Sequence, residues 1–130
     1  AGMNYMHLAQ PPVLHRMLRA ANVKLDGKFT AKVSDFGLGA LLGTSVTQRG
    51  VHPLWMAPEV LRGEPATCAS DVYAYGVLLY ETWTRKEPYE GEDLEQVVRD
   101  VARPPPGALR VIWKRPILPE GHGVPSAIVD

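Results

Sequence analysis

One segment in the second half of the chain is apolar around almost its whole circumference. Its large apolar residues, between positions 70 and 84, are Val72, Tyr75, Val77, Leu78, Leu79 and Trp83. A helix that is hydrophobic on nearly all sides is stable only inside a protein, with other elements packed around it. The segment therefore predicts a helix buried in the centre of a domain, with Ser70 or Asp71 as its N-cap.

The composition fits a domain built around such a helix. The 130 residues are 45% hydrophobic and 22% charged, and the 14 basic and 14 acidic side chains cancel. No global charge therefore draws the chain to nucleic acid or to an anionic membrane surface. Cys68 is the only cysteine, which excludes an internal disulfide and a thiolate zinc site. No apolar run is long enough to span a bilayer. These features predict a cytoplasmic location, either of the whole protein or of the intracellular part of a larger one.

Shorter elements are predicted on both sides of the central helix. They are a helix ending before Pro11, strands at 23–25 and 31–33 around an Asp-Gly turn, a short helix from Pro58 to Gly63, and a surface helix from Leu94 to Val101. Residues 38–54 are rich in Gly, Ser and Thr without a sustained period, which indicates a mobile loop of functional importance. Residues 103–130 show no long periodic element, and we expect them to be irregular.

Four short motifs follow one another in fixed order. Asp-Phe-Gly alone is an ordinary turn sequence, but chance agreement of all four motifs at these spacings is negligible. They resemble the second half of the eukaryotic protein kinase domain. The wording of residues 55–60 and 70–81 is most similar to the tyrosine-kinase-like group. The motifs are His15-Arg16-x-Leu18-x-x-x-Asn22, Asp35-Phe36-Gly37, Ala57-Pro58-Glu59 and Asp71-Val72-Tyr73-x-Tyr75-Gly76.

The resemblance implies a protein-kinase-like α+β fold. Residues 1–130 would form part of a kinase domain, a mainly helical C-terminal lobe with a small β-hairpin and no N-terminal lobe. No Gly-rich phosphate loop and no Val-Ala-x-Lys strand occur in the sequence. The family transfers the γ-phosphate of ATP to protein hydroxyls, so a protein substrate or docking partner is implied. The resemblance fades beyond Leu94. The implied parts are a catalytic loop at 15–22, the metal-binding motif at 35–37 and an activation segment at 35–59.

Asp35 and Asn22 carry the implied metal chemistry. By resemblance, Asp35 of the Asp35-Phe36-Gly37 motif would bridge Mg²⁺ to the phosphates of ATP, and Asn22 would hold a second Mg²⁺. Carboxylate and amide oxygens are the hard donors that Mg²⁺ prefers. His15 would pack against Phe36.

Other motif residues have implied structural or regulatory tasks. Arg16 would be available to bind a phosphate added to the activation segment, and Asp71 would brace the catalytic loop from below. Glu59 would pair with an arginine from the family's last helices, and without them we expect it to be exposed or wrongly paired. The candidate phosphate acceptors in the activation segment are Thr44, Ser45 and Thr47.

Met17 is the most consequential departure from the family. The family places its general base, an aspartate, directly after the His-Arg pair, and this chain has Met17 there. A thioether cannot accept the proton of a substrate hydroxyl, and removing a positioned base costs about 10² to 10⁴ in rate. The chain is therefore predicted to be an impaired kinase with a pseudokinase-like or scaffolding role. The alternative is an active kinase whose Met17 is a sequence error and whose other half is encoded upstream.

Lys24 is a second departure, because the family has an apolar residue there, against the adenine ring. An ammonium under that ring would weaken nucleotide binding, so ATP and Mg²⁺ binding by this chain is doubtful. The alternative is that Lys24 simply faces solvent.

The kind of hydroxyl acceptor stays open, because Arg19 resembles tyrosine kinases and Pro53-Leu54-Trp55 resembles serine/threonine kinases. Residues 103–106 could dock as a polyproline segment or serve only as a stiff linker. The three residues Trp113-Lys114-Arg115 are too few for a nucleic-acid site.

Overall fold

The computed structural model describes residues 2–37, 52–103 and 114–118 of the chain. In this part the structure is rich in helix with a single two-stranded antiparallel sheet, so the prediction of a mainly helical fold with one small β-hairpin is confirmed. The helices are α1 (Gly2–His7), α2 (Pro58–Leu61), α3 (Cys68–Thr84) and α4 (Leu94–Ala102), with short 3-10 helices at Ala20–Asn22 and Pro53–Trp55; the strands are β1 (Val23–Leu25) and β2 (Ala31–Val33).

The hairpin directly follows residues 15–22, the implied catalytic loop, which we call the catalytic segment. Strand β1 pairs with β2 in a register that places Val23 opposite Val33. The connection between the two strands is longer than the Asp-Gly pair alone, and the Asp26 carboxylate holds it in place. Its Oδ1 accepts hydrogen bonds from the amides of Lys28 at 2.9 Å and Thr30 at 3.0 Å. These backbone hydrogen bonds lower the pKa of the Asp26 carboxyl.

Helix α3 lies between two apolar clusters. One joins Leu18 of the catalytic segment to Ala74 and Leu78 of α3, with Met3, Val23 and Val33 packed against it. The other joins Tyr89 to Val97 and Val101 of α4, with Leu54, Leu61 and Tyr73 packed against it. Burial of these side chains holds the segment around Leu18 directly on α3, whereas α4 packs on α2 and on the 3-10 helix at Pro53–Trp55 and reaches α3 through Tyr73.

The prediction that α3 is buried on nearly all sides is wrong for the described residues. Val72 is 63% exposed, Tyr75 48% and Trp83 37%. The other described elements pack against only part of the circumference of α3, and residues 114–118 cover a further strip. Between that strip and α3 lies a groove of about 300 Å³, lined by Val72, Tyr73, Gly76, Val77, Leu79, Tyr80, Trp83, Arg115, Pro116 and Leu118.

The N-cap of α3 also differs from the prediction. The cap is Thr67, which has extended backbone, and neither Ser70 nor Asp71 takes that role. Ser70 instead accepts a hydrogen bond from the Thr67 amide at 3.0 Å and donates one to Glu59 Oε1 at 2.7 Å. A helix start that contains polar residues three positions apart offers two cap candidates, and the local sequence does not distinguish them.

The predicted loop at 38–54 lies mostly outside the described residues, as do Thr44, Ser45 and Thr47. Its last residues are not loop, because Pro53 begins a 3-10 helix, for which the fixed φ of proline is well suited. Within the described ranges, no helix is long and apolar enough to cross a membrane.

Candidate functional site

Asp71 fixes the start of the catalytic segment to the central helix. Its carboxylate is 2% exposed and accepts hydrogen bonds from the amides of His15 and Arg16, both at 2.8 Å. His7 Nε2 also lies 2.8 Å from Asp71 Oδ2. Hydrogen bonds to an ionised acceptor are stronger than neutral ones. They hold Arg16 in a left-handed conformation, at φ 67°, that a residue with a β-carbon seldom adopts.

His15 and Met17 are linked within the same turn. His15 is fully buried, and its Nδ1 accepts a hydrogen bond from the Met17 amide at 3.3 Å. The proton of the neutral ring is therefore on Nε2, which has no hydrogen-bond partner within the described residues. Phe36 is 54% exposed, so the packing of His15 against Phe36 stays a prediction.

Asn22 closes this turn from its other end. Its side-chain Nδ2 donates to the Met17 carbonyl at 2.7 Å. Since the amide nitrogen is used in this bond, the amide oxygen of Asn22 is left as an acceptor. The Met17 backbone is thus held on both sides, while its half-buried side chain carries no group that can take up a proton.

Ser34 connects Asn22 to Asp35. The Ser34 amide donates to the Asn22 carbonyl at 2.9 Å, and Ser34 Oγ lies 3.2 Å from that carbonyl and 2.7 Å from Asp35 Oδ2. Asp35 is exposed and has a left-handed backbone at φ 61°, and Gly37 follows at φ 78°. A glycine tolerates that conformation without strain.

Asn22 and Asp35 suit Mg²⁺ in the chemistry of their donors, because each presents a hard oxygen and Asp35 is open to solvent. No group of three or more His, Cys, Asp or Glu side chains in the described part of the chain could hold a metal alone. Mg²⁺ commonly binds through one or two protein oxygens and completes its shell with water and substrate phosphates. The pair therefore fits a metal that arrives with a nucleotide.

Lys24 lies on an exposed strand. Its Nζ donates to the Ala21 carbonyl at 2.6 Å, and the neighbouring Leu25 is 62% exposed. Lys24 is therefore exposed in the described structure, and its effect on nucleotide binding stays a prediction. Its ammonium remains at the end of the 3-10 helix that carries Asn22.

Glu81 of α3 joins the catalytic segment to the end of the activation segment. Its Oε2 accepts hydrogen bonds from Trp55 Nε1 at 2.7 Å and from the Ala20 amide at 3.0 Å. The Arg19 guanidinium carbon lies 5.7 Å from the centre of the Trp55 ring, within the range of a cation–π contact. His52 meets the edge of the same ring, with 6.1 Å between the ring centres.

Replacing Arg19 with glutamine is expected to raise the pKa of His52. Burial lowers the pKa of the His52 imidazole below its usual 6.5, and the charge of Arg19 lowers it further, whereas Glu87 opposes the shift. Arg19→Gln removes only the second cause, so the pKa should rise without reaching 6.5. NMR titration of the His52 ring measures it. Glu87→Gln is the matched control and should move the pKa downward; a shift of the same sign in both variants contradicts this assignment.

The sign of the effect on stability follows from this shift. A folded-state pKa below 6.5 means that the folded chain binds fewer protons at His52 than the unfolded chain does. This contribution therefore favours unfolding as the pH falls through 6.5.

Glu59 is half-buried, and its partner in the described residues is the Ser70 hydroxyl. A hydrogen bond between α2 and α3 is therefore present where the sequence predicts an exposed or wrongly paired carboxylate.

The C-terminal part of the chain is described only in places. Arg103 is exposed, and the prolines at 104–106 lie outside the described residues. Lys114 forms a salt bridge with Glu92, and Arg115 lies over the Tyr73 ring at 4.8 Å.

Three residues of this site were not identified from the sequence: His7, Ser34 and Glu81. His7 and Glu81 contact partners 64 and 61 positions away along the chain, so no local pattern could indicate them. Ser34 stands directly before the Asp35-Phe36-Gly37 motif, and that adjacency was the only signal in the sequence.

The buried carboxylate of Asp71, on the central helix, holds the segment at residues 15–16, and the four motifs lie on the helices and the hairpin around it. This arrangement is that of the larger lobe of a protein kinase domain. The chain belongs to the protein tyrosine and serine/threonine kinase family, whose profile matches residues 1–106.

Curated relatives agree with this membership. The chain is 46% identical to serine/threonine-protein kinase CTR1 of Arabidopsis thaliana over 103 residues, which are 77% of this chain. It is 40% identical to probable serine/threonine-protein kinase drkC of Dictyostelium discoideum over 108 residues, 78% of this chain. It is 42% identical to probable serine/threonine-protein kinase SIS8 of Arabidopsis thaliana over 100 residues, 75% of this chain. The matches are consistent with the tyrosine-kinase-like group.

The chain spans only a small part of each relative. The matched region covers 12% of CTR1, 14% of drkC and 10% of SIS8.

Proposed function

We propose that this chain is a lobe of a serine/threonine-type protein kinase domain that keeps the metal-binding residues but has lost its general base. Such a chain is impaired in phosphoryl transfer and acts in a pseudokinase-like or scaffolding role. The observation that carries the proposal is Met17, at the position where the family has its catalytic aspartate.

The surroundings of Met17 support a loop that is intact apart from its base. The Met17 amide donates to His15, and its carbonyl accepts from Asn22. Both hydrogen bonds are made by the backbone of residue 17, so they do not depend on which side chain stands there. A carboxylate at this position would be held by the same two bonds, whereas the thioether has no basic lone pair for a substrate hydroxyl.

We assign the binding of Mg²⁺ to Asn22 and Asp35. Bound with ATP, the metal would neutralise charge on the phosphates. The part of this chain is to place the two side-chain oxygens. Ser34 Oγ contacts the Asp35 carboxylate, and the bond from Asn22 Nδ2 to the Met17 carbonyl orients the Asn22 amide. Lys24 replaces an apolar floor for the adenine with an exposed lysine, so we expect nucleotide binding to be weaker than in a kinase with an apolar residue there.

A hydroxyl of serine or threonine is the acceptor that the relatives support, because the three reported above carry serine/threonine-protein kinase in their names. A protein substrate or a docking partner is accordingly the macromolecule that we propose for this lobe. Arg16 is an exposed residue of the catalytic segment, and we propose that it binds a phosphate on the activation segment, with Thr44, Ser45 and Thr47 as the proposed acceptors. A polyproline contact at 103–106 rests on composition alone.

The second candidate is an active kinase of the tyrosine-kinase-like group whose Met17 is an error and whose other half is encoded upstream. It is favoured by the faithful geometry around residue 17. Sequencing the transcript across Asn4 to Asn22, and extending it upstream, distinguishes the two proposals. A methionine codon at position 17 supports the impaired lobe, and an aspartate codon joined to a Gly-rich loop supports the active enzyme.

A further inference from the structure

We propose that Lys24 adapts the metal site of this chain to a magnesium complex of an inorganic oligophosphate, with diphosphate as the simplest case, in preference to ATP. The inference rests on the proposed function in one respect, which is the assignment of Mg²⁺ to Asn22 and Asp35. It goes beyond that assignment by naming the ligand that the exposed lysine favours.

The strand register places two lysines next to the metal-binding residues. Lys24 of β1 lies directly opposite Lys32 of β2, so both side chains are on one face of the hairpin. The Ser34 amide donates to the Asn22 carbonyl at 2.9 Å, which extends the same pairing by two residues. Two residues of a strand span about 7 Å. The lysine pair therefore lies within reach of a ligand that is held at Asn22 and Asp35.

The positive charge of the lysine pair is only partly neutralised by the described residues. Lys32 Nζ lies 3.2 Å from Asp26 Oδ2, whereas Lys24 Nζ donates to the Ala21 carbonyl at 2.6 Å. A carbonyl is neutral, so the Lys24 ammonium keeps its charge and two further N–H donors. Like charges directly opposite each other in a sheet are destabilising. An anion bound over this face would reduce their repulsion.

The Lys24 ammonium disfavours a nucleobase at this place. It is held against the carbonyl of the residue directly before Asn22, and its side chain is exposed and strongly hydrated. A flat apolar ring would displace this water without giving the ammonium a hydrogen-bond partner. Phosphate oxygens, in contrast, accept bonds from a charged N–H and also bind Mg²⁺. An oligophosphate without a base therefore satisfies both the metal and the lysine.

The test compares the binding of magnesium diphosphate and magnesium ATP to the 130-residue chain. NMR titration of the Ser34 and Asp35 amide signals measures both affinities. The unaltered chain should bind diphosphate at least as tightly as ATP. Lys24→Leu should weaken diphosphate binding about fivefold, because a charge beside the phosphates is lost. The same variant should tighten ATP binding about threefold, because the base gains an apolar surface. A merely structural role of Lys24 does not produce effects of opposite sign.

Lys28→Leu is the matched control, because Lys28 is an exposed lysine in the turn of the same hairpin. It should change neither affinity by more than about twofold. Raising the salt concentration from about 20 to about 500 mM should remove most of the effect of Lys24→Leu on diphosphate binding, since exposed charges are screened. Undetectable diphosphate binding, tighter binding of ATP by the unaltered chain, or equal weakening of both probes in Lys24→Leu overturns the inference.

Asp35→Asn separates this inference from the proposed function. It should weaken the binding of both probes, because an oxygen for Mg²⁺ is lost. If Asp35→Asn changes neither affinity while Lys24→Leu has its two opposite effects, the metal assignment of the proposed function fails and the ligand preference set by Lys24 stands. None of these binding measurements depends on Met17.

Discussion

Replacing Asp71 with alanine is expected to lower the free energy of unfolding of the chain by about 3 kcal/mol or more. The substitution removes the acceptor for the amides of His15 and Arg16 and leaves His7 without its partner. Each buried donor that loses its acceptor costs about 1–3 kcal/mol. The left-handed backbone of Arg16 also loses the bond that holds it.

Urea unfolding, monitored by circular dichroism, measures this effect. Asp71→Asn should be nearly as damaging, since an amide presents a donor to one of the two N–H groups. Glu95→Ala, at an exposed position of α4, is the control and should change stability by about 0.5 kcal/mol or less. If Asp71→Ala does not fold, His7→Ala provides a smaller and measurable loss. An Asp71→Ala protein as stable as the Glu95→Ala control contradicts the role of Asp71.

Replacing Met17 with aspartate is expected to raise the rate of phosphoryl transfer by about 10² to 10⁴, the contribution of a positioned general base. The comparison is made in a complete kinase domain, with the same small lobe joined to both chains and with Mg²⁺ and ATP supplied. The backbone at position 17 already bonds to His15 and Asn22. The new carboxylate therefore needs no rearrangement of the loop.

Met17→Asn is the control for this gain. Asparagine has nearly the shape of aspartate but no basic carboxylate, so its rate should stay at the level of the methionine protein. Equal rates for the methionine and aspartate proteins mean that residue 17 is not the base.

Much of the fold could be predicted from the sequence because its elements have local signals. The hairpin follows from two short runs, each containing a valine, around Asp26-Gly27, and α4 follows from apolar residues at helical spacing between Leu94 and Val101. The position of α3 was also evident from its apolar residues. The exposure of part of α3 could not be predicted. Apolar residues around a helix show that its surface must pack against something, but they do not show which residues pack there.

The candidate site, too, could be predicted only in part from the sequence. Asp71, Asn22 and Asp35 stand in motifs whose spacing is visible in the sequence, and the structure places Asp71 beneath the catalytic segment and Ser34 between the other two. The contribution of Glu81 could not be predicted, because a glutamate on a largely apolar helix resembles any solvent-facing charge. Only tertiary packing brings it to Trp55 and Ala20.

The central claim is that the metal-binding residues remain while the general base is gone, and a comparison of phosphoryl-transfer rates tests it most directly. The measurement is phosphoryl transfer to a protein substrate by the unaltered chain in a complete domain, at saturating Mg²⁺ and ATP, against the same protein carrying Asp35→Asn. The account predicts a residual rate for the unaltered chain, about 10² to 10⁴ below that of the Met17→Asp protein, that falls further in the Asp35→Asn protein because an oxygen for Mg²⁺ is lost. Equal rates for the unaltered and Asp35→Asn proteins would contradict it.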